Sequence, residues 1–216
     1  MRVLVACEES QAVCLAFRER GHEAYSCDIQ EPSGGHPEWH ILGDALKAVE
    51  GGQVTTMDGH AHDVGRWDML IAHPPCTYMA NSGAVRMRVK GEIQPERYKK
   101  AMEAKAFFMA FYNANCQKIA IENPTPMKLI GLPPYTQAIQ PYEYGHPYSK
   151  RTCLWLKGLP LLVPTCVMAE HEPYVNGGCK DVHGNYRRFQ GRKERDAKTK
   201  SKTFPGIAKA MAEQWG

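Results

Sequence analysis

Cys76 follows two prolines, Pro74 and Pro75, at the end of the apolar run Trp67 to Ala72. Prolines stiffen a turn and remove backbone donors, so a side chain placed directly after them is held in a defined direction. A cysteine held in this way can serve as a nucleophile when its surroundings are electropositive enough to favour the thiolate. Asp28, Asp44 and Glu122 also fall just after apolar runs or in short turns. A carboxyl group in a dry crevice tends toward a raised pKa, so Glu122 is expected to be protonated or to share a proton, as a proton donor requires. Arg151 offers a rigid fork of donors for a carbonyl or a phosphate oxygen. Taken singly, these residues have plainer readings: Glu122 as a strand-end acid paired with Lys or Arg, Arg151 as a surface charge, and Asp28 as a helix cap or surface acid.

The elements that must position these groups follow from hydrophobic periodicity. Val3 to Cys7 is a short apolar run that predicts a buried strand, and Glu8 to Gln11 a polar turn. Ala12, Val13, Leu15, Ala16 and Phe17 have helical spacing up to Arg20, with Gly21 as the stop. Glu23 to Cys27 predicts a second strand ending at Asp28. Strand, helix, strand and acid make a βαβ unit of Rossmann type, in which such an acid binds ribose hydroxyls. Gln30 to Trp39, with Pro32, Gly34, Gly35 and Pro37, reads as loop. Further strands are expected over Trp67–Ala72, Lys118–Ile121 and Thr152–Leu156, and helices from Pro95 to about Asn115 and from Pro205 to Trp215. Met102, Phe107, Phe108 and Phe111 read as a core stripe of the first of these helices. The element order predicts an open α/β sheet, mostly parallel, with ligands at the carboxyl ends of its strands. Asp28, Asp44, Cys76 and Glu122 are thereby expected to meet in one crevice.

Several segments, in order, resemble C5-cytosine DNA methyltransferases. Ile71-Ala72-His73-Pro74-Pro75-Cys76, continuing to Ser82-Gly83, resembles that family's Pro-Cys motif. Ala120-Ile121-Glu122-Asn123-Pro124 resembles its Glu-Asn-Val motif, and Ser149-Lys150-Arg151-Thr152-Cys153 its Gln-x-Arg-x-Arg motif. The opening βαβ unit with Asp28 and the Gly43-Asp44 pair resemble its cofactor half, and Phe204 to Ala212 sits at the place of its last motif. The resemblance covers most of the chain outside about Gly158 to Thr203. It implies a Rossmann-like, S-adenosylmethionine-dependent methyltransferase with DNA as partner. Cys76 would attack C6 of cytosine, Glu122 would hydrogen-bond N3, and Arg151 would hold the base or a phosphate. Cys7, Glu8, Glu9, Ser10, Asp28, Ile29, Asp44 and Pro74 would line the cofactor, and Pro75, Asn123, Arg86 and Arg88 the substrate. The departures are a first turn without the family's glycines, Pro124 in place of Val, and Ser149 and Cys153 in place of the Gln and the second Arg. The implied domains are 1–157 with 204–216 for catalysis, and a small basic insertion, 158–203, in place of a target-recognition domain. So small an insertion predicts short or relaxed sequence specificity, or a single-stranded or free-nucleotide substrate, and the size resembles phage-encoded methyltransferases.

Composition bounds these readings. A 43% apolar and 23% charged chain of 216 residues is that of an ordinary globular domain, and no apolar run approaches bilayer-spanning length. The acids Glu8 and Glu9 interrupt any signal-peptide core, so a cytoplasmic protein with its eight cysteines reduced is expected. The net charge of +4 tolerates a polyanion without demanding one, but Arg187 to Lys202 concentrates eight cations against two acids. That run reads equally as a phosphate-binding segment or as a solvated loop. Cys166, His171, Cys179 and His183 lack a standard zinc spacing, and no metal is expected. Two rival functions stand beside the first. Pro74-Pro75 and Tyr78 faintly echo the Asp/Asn-Pro-Pro-Tyr motif of amino-methylating enzymes, although His73 occupies the acid or amide position. The missing glycines also fit a non-catalytic nucleic-acid-binding protein that kept the fold.

Overall fold

Branched and small apolar residues build a seven-stranded sheet that is buried on both faces. In the computed structural model, which describes residues 1–175, 177–180, 185–189 and 197–216, the strands are β1 (Arg2–Ala6), β2 (Glu23–Asp28), β3 (His40–Leu42), β4 (Met69–Ala72), β5 (Lys118–Pro124), β6 (Gln137–Ile139) and β7 (Thr152–Lys157). The spatial order is β6-β7-β5-β4-β1-β2-β3. All neighbours are parallel except β7, which runs antiparallel to both β5 and β6. The architecture is Rossmann-like and mostly parallel, as expected. The order reverses between β1 and β4, because the chain builds outward through β2 and β3 and then returns to add β4 and β5 on the other side. Such a switch point opens a crevice at the carboxyl ends of the two strands.

Helices cover both faces. Alternate residues of β1 show the division: Val3 and Val5 pack toward α1 (Ala12–Glu19), and Leu4 and Ala6 toward α2 (Ala45–Val49). The long α3 (Pro95–Tyr112) starts on a proline whose missing amide costs nothing at a helix entry. It buries Ala101, Phe108 and Phe111 on the α2 face, each Phe contributing about 1.5–3 kcal/mol, while Met102 and Phe107 are only partly covered. On the other face α4 (Pro205–Trp215) lies beside α1 and buries Ile207, Met211 and Trp215. Its entry demands Gly206, since a Cβ there would collide with the Tyr144 carbonyl.

Three parts of this frame go beyond the sequence expectation. β3 and β6 are short and flanked by loops, and a hairpin, Gly52–Thr55 with Ala61–Gly65, fills the space between α2 and β4. The first part of the 158–203 segment is packed on the sheet domain: Leu162 and Tyr174 are core residues, and the Tyr174 ring lies 4.8 Å from that of Phe204. Among the described residues no helix is long and apolar enough to cross a membrane.

Candidate active site

The turn after β1 solves the absence of glycine by strain and by a buried acid. Cys7 (φ 59°) and Gln11 (φ 58°) both adopt the left-handed backbone that glycine would take without cost. Between them Glu8, 4% exposed, folds its carboxyl group under the start of α1, where it accepts from the Val13 and Cys14 amides at 2.7 and 3.1 Å. Burial, followed by weaker repulsion from Glu9, raises the Glu8 pKa against the opposing pull of His73 and the two amides. Glu9 is also buried and lies 3.8 Å from the Lys202 ammonium, which donates to Ser33 as well. Gln11 is fully buried: its side chain donates to Ser26 and the His36 carbonyl and accepts from the His36 amide. Ser10 accepts from the Ala12 amide. Glu8, proposed from the sequence as a cofactor ligand, thus gives each of its oxygens to an α1 amide in this structure.

Asp28 ends β2 as expected, with one carboxylate oxygen accepting from the Gln30 amide. Ile29, directly after it, is 81% exposed. Asp44 caps α2 by accepting from the Leu46 amide. Burial first, then the charges of Asp28 and Asp44, push the Cys7 thiol far above its ordinary range. The ends of β1 and β2 and the α2 entry thus share one acidic corner.

Across the switch point, β4 delivers His73-Pro74-Pro75-Cys76 and β5 delivers Glu122-Asn123. The His73 amide donates to the Ala6 carbonyl, which extends the β1–β4 ladder into the turn. The Asn123 amide nitrogen, fully enclosed, donates to the Pro74 carbonyl at 2.7 Å. Asn123, 2% exposed, thereby holds the Pro-Cys turn. Pro74 is buried with its carbonyl bonded to Asn123. Pro75 is exposed beside a cavity of about 430 Å³ that Tyr78, Lys100 and Phe107 also line. The Cys76 carbonyl accepts from the Met79 and Ala80 amides, closing the turn.

Glu122 pairs with His73, whose Nδ1 lies 2.9 Å from Oε2, both side chains being 12% exposed. Burial alone would raise the Glu122 pKa, but the His73 hydrogen bond and charge, with the charge of Lys150, carry it below its ordinary value. The expectation of a raised carboxyl is corrected here. Desolvation was weighed from sequence, and the imidazole beside it was not. Conversely, burial would lower His73, yet Glu122 and then Glu8 raise it. The Cys76 thiol is itself raised, by burial first and by the Glu122 charge second, with Lys150 opposing. The turn is therefore not the electropositive crevice expected around a resting thiolate.

The fold also brings His73 and Lys150 to this site, two residues to which sequence reasoning assigned no role. His73 was visible as a departure before the prolines. Lys150 was overshadowed by Arg151, which is exposed and donates to the Tyr135 hydroxyl at 2.9 Å. Arg151 is not among the charges acting on Cys76 or Glu122. Arg86 and Arg88 are exposed on the arm that follows the cysteine turn, Arg88 donating to the Gly91 carbonyl. Cys166 is exposed and His171 stacks on Tyr142, while His183 lies outside the described residues. So do Arg192, Lys193, Glu194, Arg195 and Asp196 of the basic run. Among the described residues no three His, Cys, Asp or Glu side chains are placed to hold a metal ion.

No protein-family model matches this chain, and no curated protein matches its sequence. Among solved structures it is similar to a protein proposed to be a DNA modification methyltransferase, encoded within an E. coli prophage, with a TM-score of 0.45 and 14% identity. The match covers 78% of this chain and 52% of that one, so the chain spans about half the length of that protein.

Proposed function

We propose that the protein is an S-adenosylmethionine-dependent DNA methyltransferase that acts on C5 of cytosine, with Cys76 as nucleophile. The observation that carries this reading is the pairing of Glu122 with His73 at 2.9 Å, which joins the end of β5 to the turn after β4 that carries Cys76. A thiol that can add to C6 and a carboxyl that can serve N3 are the two groups the reaction requires.

The acidic corner fits the cofactor on two counts. Glu8 fills the α1 amides where a dinucleotide would set its phosphates, which disfavours a phosphate-bearing cofactor. Asp28 and Asp44 favour a cation, and Asp28 with the exposed Ile29 suits a ribose diol and an adenine face. When bound, S-adenosylmethionine supplies an electrophilic methyl group on a sulfonium. Cys7, Glu9 and Ser10 would border it on the β1 side.

Because the Glu122 charge helps hold the thiol protonated, thiolate formation and proton delivery to N3 are coupled. A base that accepts a proton from Glu122 is seated only when that carboxyl carries one, and the repulsion on Cys76 is then relieved. Lys150 favours the thiolate throughout. Arg86, Arg88, Arg151 and the 158–203 segment would hold the phosphate backbone of a flipped or single-stranded cytosine.

The test is covalent trapping. An oligonucleotide carrying 5-fluorocytosine, with cofactor, is expected to give a stable adduct with the wild type and none with Cys76→Ser. Digestion of labelled DNA should yield 5-methylcytosine. N6-methyladenine would transfer the assignment to the amino-methylating class, and no product or adduct on any DNA would leave a binding protein.

A further inference from the structure

We propose that His73 is a positioning residue for proton delivery: it holds Oε2 of Glu122 so that Oε1 carries the proton given to cytosine N3, and its charge stabilises the carboxylate left behind. The proposal rests on the cytosine-5 reading above.

Its foundation is geometric. The pair is 2.9 Å apart and 12% exposed on each side, so little water competes for the shared hydrogen bond. The His73 backbone is fixed by the Ala6 carbonyl, and the following Pro74 by Asn123, so the turn that carries Cys76 also fixes the point from which the His73 ring reaches Glu122. His73 Nε2 is buried and has no partner among the described residues, which leaves Nδ1 as the anchoring atom of the ring. The groups that face the pair are Glu8 from the β1 turn, Lys150 from the entry to β7, and Cys76 on the same turn as His73. Glu8 favours a charged imidazole, while Lys150 favours a charged carboxylate and opposes the imidazolium.

The step balances as follows. Glu122 takes a proton from solvent on Oε1 as the base is seated, and the Cys76 thiol gives its proton to solvent. The sulfur forms a bond to C6. The C5–C6 π pair moves to C4–C5, and the C4–N3 π pair moves to N3. The Oε1–H bond breaks as N3–H forms, and the new carboxylate lies against the imidazolium. When C5 takes the methyl group, the C4–C5 pair would form the new C–C bond, the N3 pair would restore the C4–N3 double bond, the cofactor would leave as a neutral thioether, and the N3 proton would return to Glu122. A solvent base would then remove the C5 proton, and that C–H pair would form the C5–C6 bond as the C6–S bond breaks and the thiolate leaves. Without the imidazolium the buried carboxylate would keep only the smaller effect of the Lys150 charge, and proton donation would be slower.

His73→Gln keeps an N–H donor for Oε2 but removes the charge, and its pH profile decides the proposal. The expected result is a drop in kcat of about 10- to 100-fold with KM little changed. The alkaline limb of kcat/KM should move upward by roughly one pH unit or more, because the carboxyl then holds its proton longer. A purely structural role would lower the rate without moving that limb, and an unmoved limb overturns the proposal. If His73→Gln does not fold, nitrogen-15 NMR of the folded wild type and Glu122→Gln decides instead. The His73 imidazole should titrate above the free-histidine range in the former and lower in the latter, and equal titrations overturn the proposal. A wild type that forms neither 5-methylcytosine nor a fluorocytosine adduct overturns the cytosine-5 reading and this proposal together. A wild type that forms them, beside an unmoved limb in His73→Gln, overturns this proposal alone.

Discussion

At the end of β1 the buried Glu8 has both oxygens bound by the backbone of α1, whereas at the ends of β4 and β5 the buried His73 keeps Nε2, and Asn123 keeps Oδ1, without a partner among the described residues. One side of the crevice has used its polar groups to hold its own shape. The other has arranged titratable groups in contact and left some bonding capacity over. The difference teaches where to look for chemistry in a fold of this kind. A buried acid that satisfies a helix is already used by the fold, and a buried acid–imidazole pair on the turn of a cysteine is where the proposed chemistry is to be tested.

Mutation can break this comparison. Glu8→Ala strips two buried amides of their acceptor and should cost on the order of 3 kcal/mol in urea unfolding. If Glu8 serves the cofactor instead, stability would hold and cofactor affinity alone would fall. Asn123→Ala frees the Pro74 carbonyl inside the protein and should cost about 1–3 kcal/mol. It should also slow adduct formation by Cys76 with little change in DNA affinity, as judged by gel shift.

The pair on the other side leaves a signature in stability against pH. Glu122 is depressed, so its contribution is present above about pH 4.3 and is lost as the pH falls through its folded value. His73 is raised, so its contribution is full below about pH 6.5 and is lost as the pH rises through its folded value. The excess stability of wild type over Glu122→Gln should therefore be greatest between those limits, on the order of 1 kcal/mol, and should shrink on both sides. A flat difference from pH 4 to 9 would dissolve the pair. The smallest effect is expected for Arg151→Ala, within about 0.5 kcal/mol in stability, since its partner Tyr135 is reached at the surface. Any loss there should appear in DNA affinity, with a shallower salt dependence.

The sheet was largely legible because β1, β4 and β5 each hold an apolar run, Val3–Ala6, Met69–Ala72 and Ile119–Ile121, and α3 and α4 begin on prolines. β3 and β6, three residues each, are held by neighbours far along the chain and carry too little pattern to be seen. In the site, the positions of Asp28, Cys76 and Glu122 at strand ends could be read from residue order. The protonation of Cys76 and Glu122 could not, because it depends on burial and on charges brought from other elements, Glu122 and Lys150 for Cys76 and His73 and Lys150 for Glu122. The glycine-free turn looked like a defect in one dimension. In three it is a different solution, with Cys7 and Gln11 absorbing the backbone strain.

That solution has a consequence for hydrogen exchange. Because Glu8 gives α1 an acceptor of its own, the Val13 and Cys14 amides are shielded before any ligand arrives. Their exchange should be slow in the empty protein and nearly unchanged on saturation, so that the entry to the crevice behaves as a rigid sill.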